Sequence, residues 1–191
     1  MAASTTDVAR GVAETDVATL LAKQAIRENM QNYCRGIDRL DRELFTSVFH
    51  PDATVDYEGM VQCTAAEVTD IFMKSHREWA FHSHQITNTT IQIEGEKAAS
   101  ETYVTAVVRS FPDDDGHAVD FHCRGRYLDR WSKRDGRWAI DHRHLVMDIL
   151  SEYMIVEKFE GNLHDRPDNS SLGLARRDRD DPMYELFASL R

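Results

Sequence analysis

At about residue 80 the sequence changes its period, and this change limits the fold more than any single motif. From Val17 to Ile37 the apolar residues Ile26, Met30, Tyr33, Cys34 and Ile37 recur at three- and four-residue spacing, the repeat of one helix face. From Phe81 onward four long runs follow: Phe81 to Ile93, Ala98 to Phe111, Ala118 to Lys133 and Arg137 to Ile149. They are separated by Glu94-Gly95, Pro112 to Gly116 and Asp135-Gly136, the residue types of tight turns, so they read as antiparallel hairpins. Helices first and strands afterwards predict an α+β fold. In it a strongly curved, mainly antiparallel sheet wraps three N-terminal helices as a cone-shaped α+β barrel, whose open mouth is a natural ligand cavity.

The helical half divides at two aspartates. Asp16 is placed to cap a first helix that ends near Arg39. Were that helix to continue, Asp41 would fall inside the apolar arc, a costly place for an unpaired carboxylate. A break is cheaper, with Asp41 capping a second helix, Arg42 to Phe49. His50-Pro51-Asp52 then stops that helix, because proline disfavours helical geometry in the residue before it. Ala53 to Tyr57 reads as a short strand. Thr64-Ala65-Ala66-Glu67 fits the reciprocal capping box and opens a third helix running to about Trp79.

A chain of 191 residues holds one domain with a real core. The expected division is a flexible tail over 1–14, the barrel domain over 15–150, and a C-terminal extension over 151–191. In the extension ARRDRDDP reads as a solvated charged face, whereas the amphipathic MYELFASL needs something to pack on, either the cavity or a neighbouring subunit.

Composition removes several function classes. With 41% hydrophobic and 29% charged residues the chain is an ordinary folded protein, and its net charge of -10 opposes binding to nucleic acid. No apolar run reaches the roughly 20 residues a membrane helix needs, and MAASTTDVARG lacks the pattern of a secretory leader, so a cytoplasmic protein is expected. Cys34, Cys63 and Cys123 form no CxxC pair and read as small buried hydrophobes. There is no GxGxxG and no GxSxG. Trp79, Phe81, Trp131 and Met147 read as core before pocket.

Histidine is where the chemistry lies. His82-Ser83-His84 falls on one strand, His122 on another, and His142-Arg143-His144 on the last. Residues two apart on a strand share a face, so each HxH pair points both rings the same way. One use is a metal-dependent enzyme built on the HxH strands. The other is proton transfer by one histidine that a carboxylate orients. That carboxylate must face the cavity from the helical side, and Asp38 is placed to supply it. The alternative for Asp38 is an ordinary ion pair with Arg35 or Arg42. Strand parity adds that Arg143 faces opposite to His142 and His144, and Tyr127 opposite to His122, unless a bulge intervenes.

CRGIDRLDRELFTSVFHPDATVDY, followed by HSHQITN, GRYLDRW, RDGRW and DHRH, resembles the SnoaL-like branch of the nuclear transport factor 2-like superfamily over residues 17 to 150. The resemblance implies the cone-shaped fold, but that fold hosts many functions. Members include polyketide cyclases, ketosteroid isomerases, scytalone dehydratases, hexachlorocyclohexane dehydrochlorinases and cofactor-free aryl-propanediol lyases. The resemblance puts an Asp-His dyad on Asp38, which precedes PDATVDY, and His84, which begins the HxxxN ending at Asn88. It aligns Tyr33, Tyr127 and Arg143 with pocket residues, and Tyr57, Asn88 and His122 join them as candidate substrate-binding residues. Tyr33 stands where the dehydrochlorinases carry lysine, which favours an oxygen substrate over a halide. The implied activity is a lyase without cofactor or metal, acting on a small hydroxylated aromatic or polycyclic compound and releasing water or an aldehyde such as formaldehyde. An isomerase or cyclase of a ketosteroid- or polyketide-like substrate, and a non-catalytic binding module, are the alternatives. Relatives bury the outer sheet face in dimers or trimers, so a homo-oligomer is expected.

Overall fold

A computed structural model describes residues 17–57, 59–155 and 176–190. Its first helix, α1 (Val17–Asp38), turns Ile26, Met30, Tyr33, Cys34 and Ile37 inward, the face the periodicity marked. The helix stops as Leu40 enters the left-handed region at φ 51°. The Asp41 amide then donates back to the Gly36 carbonyl at 2.8 Å and that of Leu40 to the Ile37 carbonyl at 3.2 Å, closing the helix end. Asp41 caps α2 (Arg42–Ser47) by accepting from the Leu44 amide at 3.1 Å. Only glycine permits this turn at residue 36, since a Cβ there would stand 2.6 Å from the Phe45 backbone nitrogen.

Helix α2 ends two residues before the expected Phe49. Phe49 already opens β1 (Phe49–Tyr57), so His50-Pro51-Asp52 lies inside a strand rather than in a stop. The ladder tolerates Pro51 because the pairing register breaks between Phe49 and Thr54. The strand β2 (Val61–Thr64) was not anticipated; four residues running directly into a helix cap carry too short an alternation to read. Thr64 and Glu67 then form the capping box of α3 (Ala65–Ser75), and a 3-10 turn (His76–Glu78) completes the helical stretch expected to reach Trp79.

The long strands are β3 (Phe81–Glu94), β4 (Lys97–Arg109), β5 (Ala118–Arg134) and β6 (Arg137–Ile155). The sheet order is β2-β1-β6-β5-β4-β3, antiparallel throughout except where β1 lies parallel to β6. Strand β6 runs six residues past the expected Ile149, so the sheet crosses the boundary expected at residue 150. The tail expected over 1–14, and 156–175 of the extension, lie outside the described residues.

Three register shifts among the long strands set which side chains face the helices. One, between Ile86 and Thr89, keeps His82, His84 and Ile86 inward on one side of it and Thr89, Ile91 and Ile93 inward on the other. The second falls opposite Arg124 and Gly125, where β6 carries the extra residue Asp148. The last, opposite Arg130 and Trp131, leaves Asp141 as an extra residue of β6. The core between helices and sheet centres on Ile26, Met30, Tyr33, Ile37, Trp131 and Ile140. Trp131 is core, with its indole N–H on the Ser100 hydroxyl at 2.9 Å. A short helix, α4 (Pro182–Ala188), follows in the C-terminal segment. Among the described residues no helix is long and apolar enough to cross a membrane.

Candidate active site

Asp38 is the last residue of α1, where the negative end of the helix dipole disfavours a carboxylate, and it is only 8% exposed. Strand β3 compensates with three donors. Asp38 Oδ1 lies 2.7 Å from His84 Nδ1 and 3.3 Å from His82 Nδ1, and Oδ2 accepts from the His84 backbone N–H at 3.0 Å. Burial alone would raise the Asp38 pKa; hydrogen bonds from both imidazoles and the His84 amide, with the charge of His84, outweigh it and hold it at about 2. Asp38 is therefore an anion that only accepts. Each facing Nδ1 must carry its hydrogen, which leaves Nε2 of His84 as the lone-pair nitrogen.

The ordinary ion pairs considered for Asp38 do not form. Arg35 bonds the side chains of Asn32 and Met183, and Arg42 pairs with Asp70 at 2.6 Å. A third imidazole completes the group: the His76 ring meets that of His82 edge to face at 4.9 Å. Burial, reinforced by the neighbouring histidines, pushes His76 down to about 3, so it stays neutral. Burial likewise lowers His82 against the opposing pull of Asp38, and its Nε2 is buried without a hydrogen-bond partner.

A second polar cluster occupies the core between α1 and β1, β5 and β6. Arg143 is fully buried and forks onto Asp129, with Nε at 2.7 Å and Nη2 at 2.8 Å. Its guanidinium lies 4.0 Å from the ring centres of both Tyr33 and Tyr127. Burial would weaken the Arg143 charge, but Asp129 more than restores it. Its Nη1 has no partner. The hydroxyls of Tyr33 and Tyr57 share a hydrogen bond at 2.6 Å. Burial raises the pKa of all three tyrosines, so they are neutral hydroxyls. Phe72 bridges the clusters, 5.1 Å from Tyr57 on one side and 5.1 Å from His76 on the other.

Of the residues singled out in the sequence, the structure thus joins Asp38 with His84, and Tyr33 with Tyr57, Tyr127 and Arg143. It does not bring His122 or Asn88 to either group. His122 meets Tyr153 edge to face at 4.7 Å, on the sheet face opposite to Tyr127, and Asn88 sits exposed in the β3 bulge. His142 and His144 lie on the outer face with Thr54 and Asp56, beside a surface groove of about 630 Å³. The two HxH pairs therefore cannot pool their nitrogens. Among the described residues, Asp38, His82 and His84 have ligand-type atoms all within 4.8 Å of one another, close enough to share one metal ion.

Sequence reasoning missed His76 and Arg177, and it named His82 only as half of an HxH pair, not as a partner of Asp38. Arg177 donates from its two terminal nitrogens to the carbonyls of Trp79 and His76, beside the dyad. Its segment is fastened over the α1–α2 turn: Arg39 pairs with Asp181 at 3.1 Å, and Arg179 with Asp41 at 2.9 Å and Glu43 at 3.0 Å. The Tyr184 hydroxyl donates to Asp41 at 2.6 Å. The charged stretch keeps Arg176, Asp178, Arg179 and Asp180 exposed, as a solvated face does, while Arg177 and buried Asp181 fasten it as a clasp. His82 had a signal, the strand parity that puts it on the same face as His84; Arg177, about a hundred residues away in sequence from His76 and Trp79, had none.

A SnoaL-like domain profile matches residues 18–144. Among solved structures the chain is similar to one assigned as a scytalone dehydratase from Novosphingobium aromaticivorans DSM 12444 (21% identity, TM-score 0.61, 71% of this chain and 90% of that one). It is also similar to a type 2 hexachlorocyclohexane dehydrochlorinase, LinA (16%, TM-score 0.65, 73% and 93%). A third is assigned as an aromatic ring hydroxylase from Novosphingobium aromaticivorans (24%, TM-score 0.59, 68% and 92%). At these identities the likeness establishes the fold. No curated protein sequence matches significantly.

Proposed function

The chain belongs to the SnoaL-like domain family, and from that premise we propose that it is a cofactor-independent lyase whose general base is His84, held by Asp38. The observation that carries this reading is the buried 2.7 Å contact between an ionised Asp38 and His84 Nδ1, which aims the lone pair away on Nε2. The substrate is a small hydroxylated aromatic or polycyclic compound. In a dehydration His84 Nε2 takes a proton from carbon, the C–H electron pair becomes the new double bond, and the departing hydroxyl recovers the proton from the imidazolium as water. In a retro-aldol cleavage Nε2 takes the hydroxyl proton, the oxygen electrons close an aldehyde carbonyl, and the C–C pair passes to the substrate carbon. That carbon then recovers the proton. In both, Asp38 stabilises the transient imidazolium.

The unpartnered Nη1 of Arg143 and the hydroxyls of Tyr33, Tyr57 and Tyr127 supply donors for a substrate oxygen. Proton transfer of this kind contributes about a hundred- to ten-thousandfold, and orientation supplies the remainder. The clasp of residues 176–190 covers the dyad, as Arg177 on the His76 carbonyl supports. Exposed Ile149, Leu150, Tyr153 and Met154 at the end of β6 support a homo-oligomer joined there.

The test is to incubate the purified protein, without added cofactor, with a panel of hydroxylated aromatic and polycyclic compounds and to follow product mass. Loss of water or of an aldehyde fragment is expected. A rearranged product of unchanged mass makes the chain an isomerase, and loss of turnover on chelation removes the cofactor-free reading.

A further inference from the structure

The elimination scheme leaves His82 unused, although it is buried against the same carboxylate oxygen as His84 and its Nε2 has no partner. One base needs one orienting carboxylate; two imidazoles converging on Asp38 Oδ1 at 2.7 and 3.3 Å make a different pattern. A tetrahedral ion with bonds of about 2.0–2.1 Å separates its ligand atoms by roughly 3.3 Å, so small side-chain rotations fit these three atoms around one ion. Two imidazoles and a carboxylate are a donor set for zinc and its first-row neighbours. We propose that Asp38, His82 and His84 bind one divalent first-row transition ion, Zn²⁺ being the probe, and that its occupancy switches the base off. Binding needs only the geometry, whereas the switching rests on the proposed role of His84.

The switch follows from proton positions. In the metal-free site each Nδ1 carries a hydrogen and donates it to Asp38. An ion seated among these atoms takes both Nδ1 lone pairs, so each neutral ring moves its hydrogen to Nε2. No proton is released. His84 then presents an N–H to the substrate where it had presented a lone pair, and proton abstraction stops. Arg177 is the opposing charge: burial lowers its pKa, and nearby Asp38 pulls the other way toward the charged form, so it works against cation binding at these three atoms.

The experiment titrates chelator-treated full-length protein with Co²⁺, followed by visible absorption, and with Zn²⁺ by equilibrium dialysis. Wild type, His82→Gln, His84→Gln and the outer-face pair His142→Gln/His144→Gln are compared, with urea unfolding to show that each is folded. One equivalent per chain is expected, with affinity at least tenfold lower in both inner variants and unchanged in the outer pair. Absence of stoichiometric binding, binding that survives in both inner variants, or loss confined to the outer pair overturns the site. With a turnover assay in hand, Zn²⁺ inhibits and chelator restores. Stoichiometric Zn²⁺ without inhibition overturns the switch and leaves the site. Loss of turnover on chelation overturns the metal-free base instead.

Discussion

Replacing Asp38 by Asn tests the physical claim beneath the site. The carboxylate falls from an ordinary 3.8 to about 2 in the folded chain, and it is mostly shielded from solvent. Each pKa unit is worth about 1.4 kcal/mol, so the charged form contributes about 2 kcal/mol of stability at neutral pH. Asn adds a mismatch: with its oxygen on the imidazoles, its NH2 faces the His84 amide, which also donates. A buried unmatched donor costs about 1–3 kcal/mol, so the whole loss is about 3–5 kcal/mol. Urea unfolding followed by fluorescence of Trp79, Trp131 and Trp138, at one protomer concentration, measures it. The pH dependence has a definite sign. A depressed carboxylate stabilises above its unfolded pKa of 3.8 and loses that contribution as pH falls through about 2. The gap between wild type and Asp38→Asn therefore narrows by about 2 kcal/mol from pH 6 to pH 2. A loss below about 0.5 kcal/mol at pH 7, the range of a neutral surface change, refutes the reasoning.

His84→Gln abolishes turnover on any substrate the panel identifies while leaving the unfolding curve within about 1 kcal/mol; near-normal turnover removes His84 from the mechanism. His76, held near 3 against an unfolded 6.5, makes the native state resist protonation, so stability falls as pH drops from 6.5 toward 3. Between pH 6.5 and 4.5 this loss is about 2–3 kcal/mol, and His76→Phe, which keeps a ring beside Phe72, flattens that part of the profile; an unchanged slope contradicts it. Leu150→Asp, at an exposed position near the end of β6, shifts the protein to monomer in light scattering, and an unchanged mass moves the interface elsewhere.

The features legible in sequence were those that repeat or obey parity. The inward face of α1, the three turns of the meander, the Thr64–Glu67 box and the opposed faces of Arg143 and its flanking histidines all follow from local rules. Asp38 stood out as a carboxylate beside a buried face, yet its pairing with His84 came from the resemblance, because no spacing rule joins residues 46 apart. Strand β2 was too short to alternate, and Pro51 misled because the register break that admits it is a tertiary event. Arg177 and Arg179 escaped for the same reason: a charge run reads as solvated until its partners, Asp41 and Glu43 for Arg179 across more than 130 residues, are known.

The most direct test of the central claim needs no substrate. Nitrogen-15 NMR of histidine-labelled, metal-free protein at neutral pH, with His84→Gln assigning the signals, reports which ring nitrogen of His84 carries hydrogen. The account predicts a protonated Nδ1, its proton shifted downfield by Asp38, and an Nε2 with the shift of an unprotonated nitrogen. An Nε2–H tautomer leaves no lone pair for the substrate, and would contradict the assignment of His84 as the base.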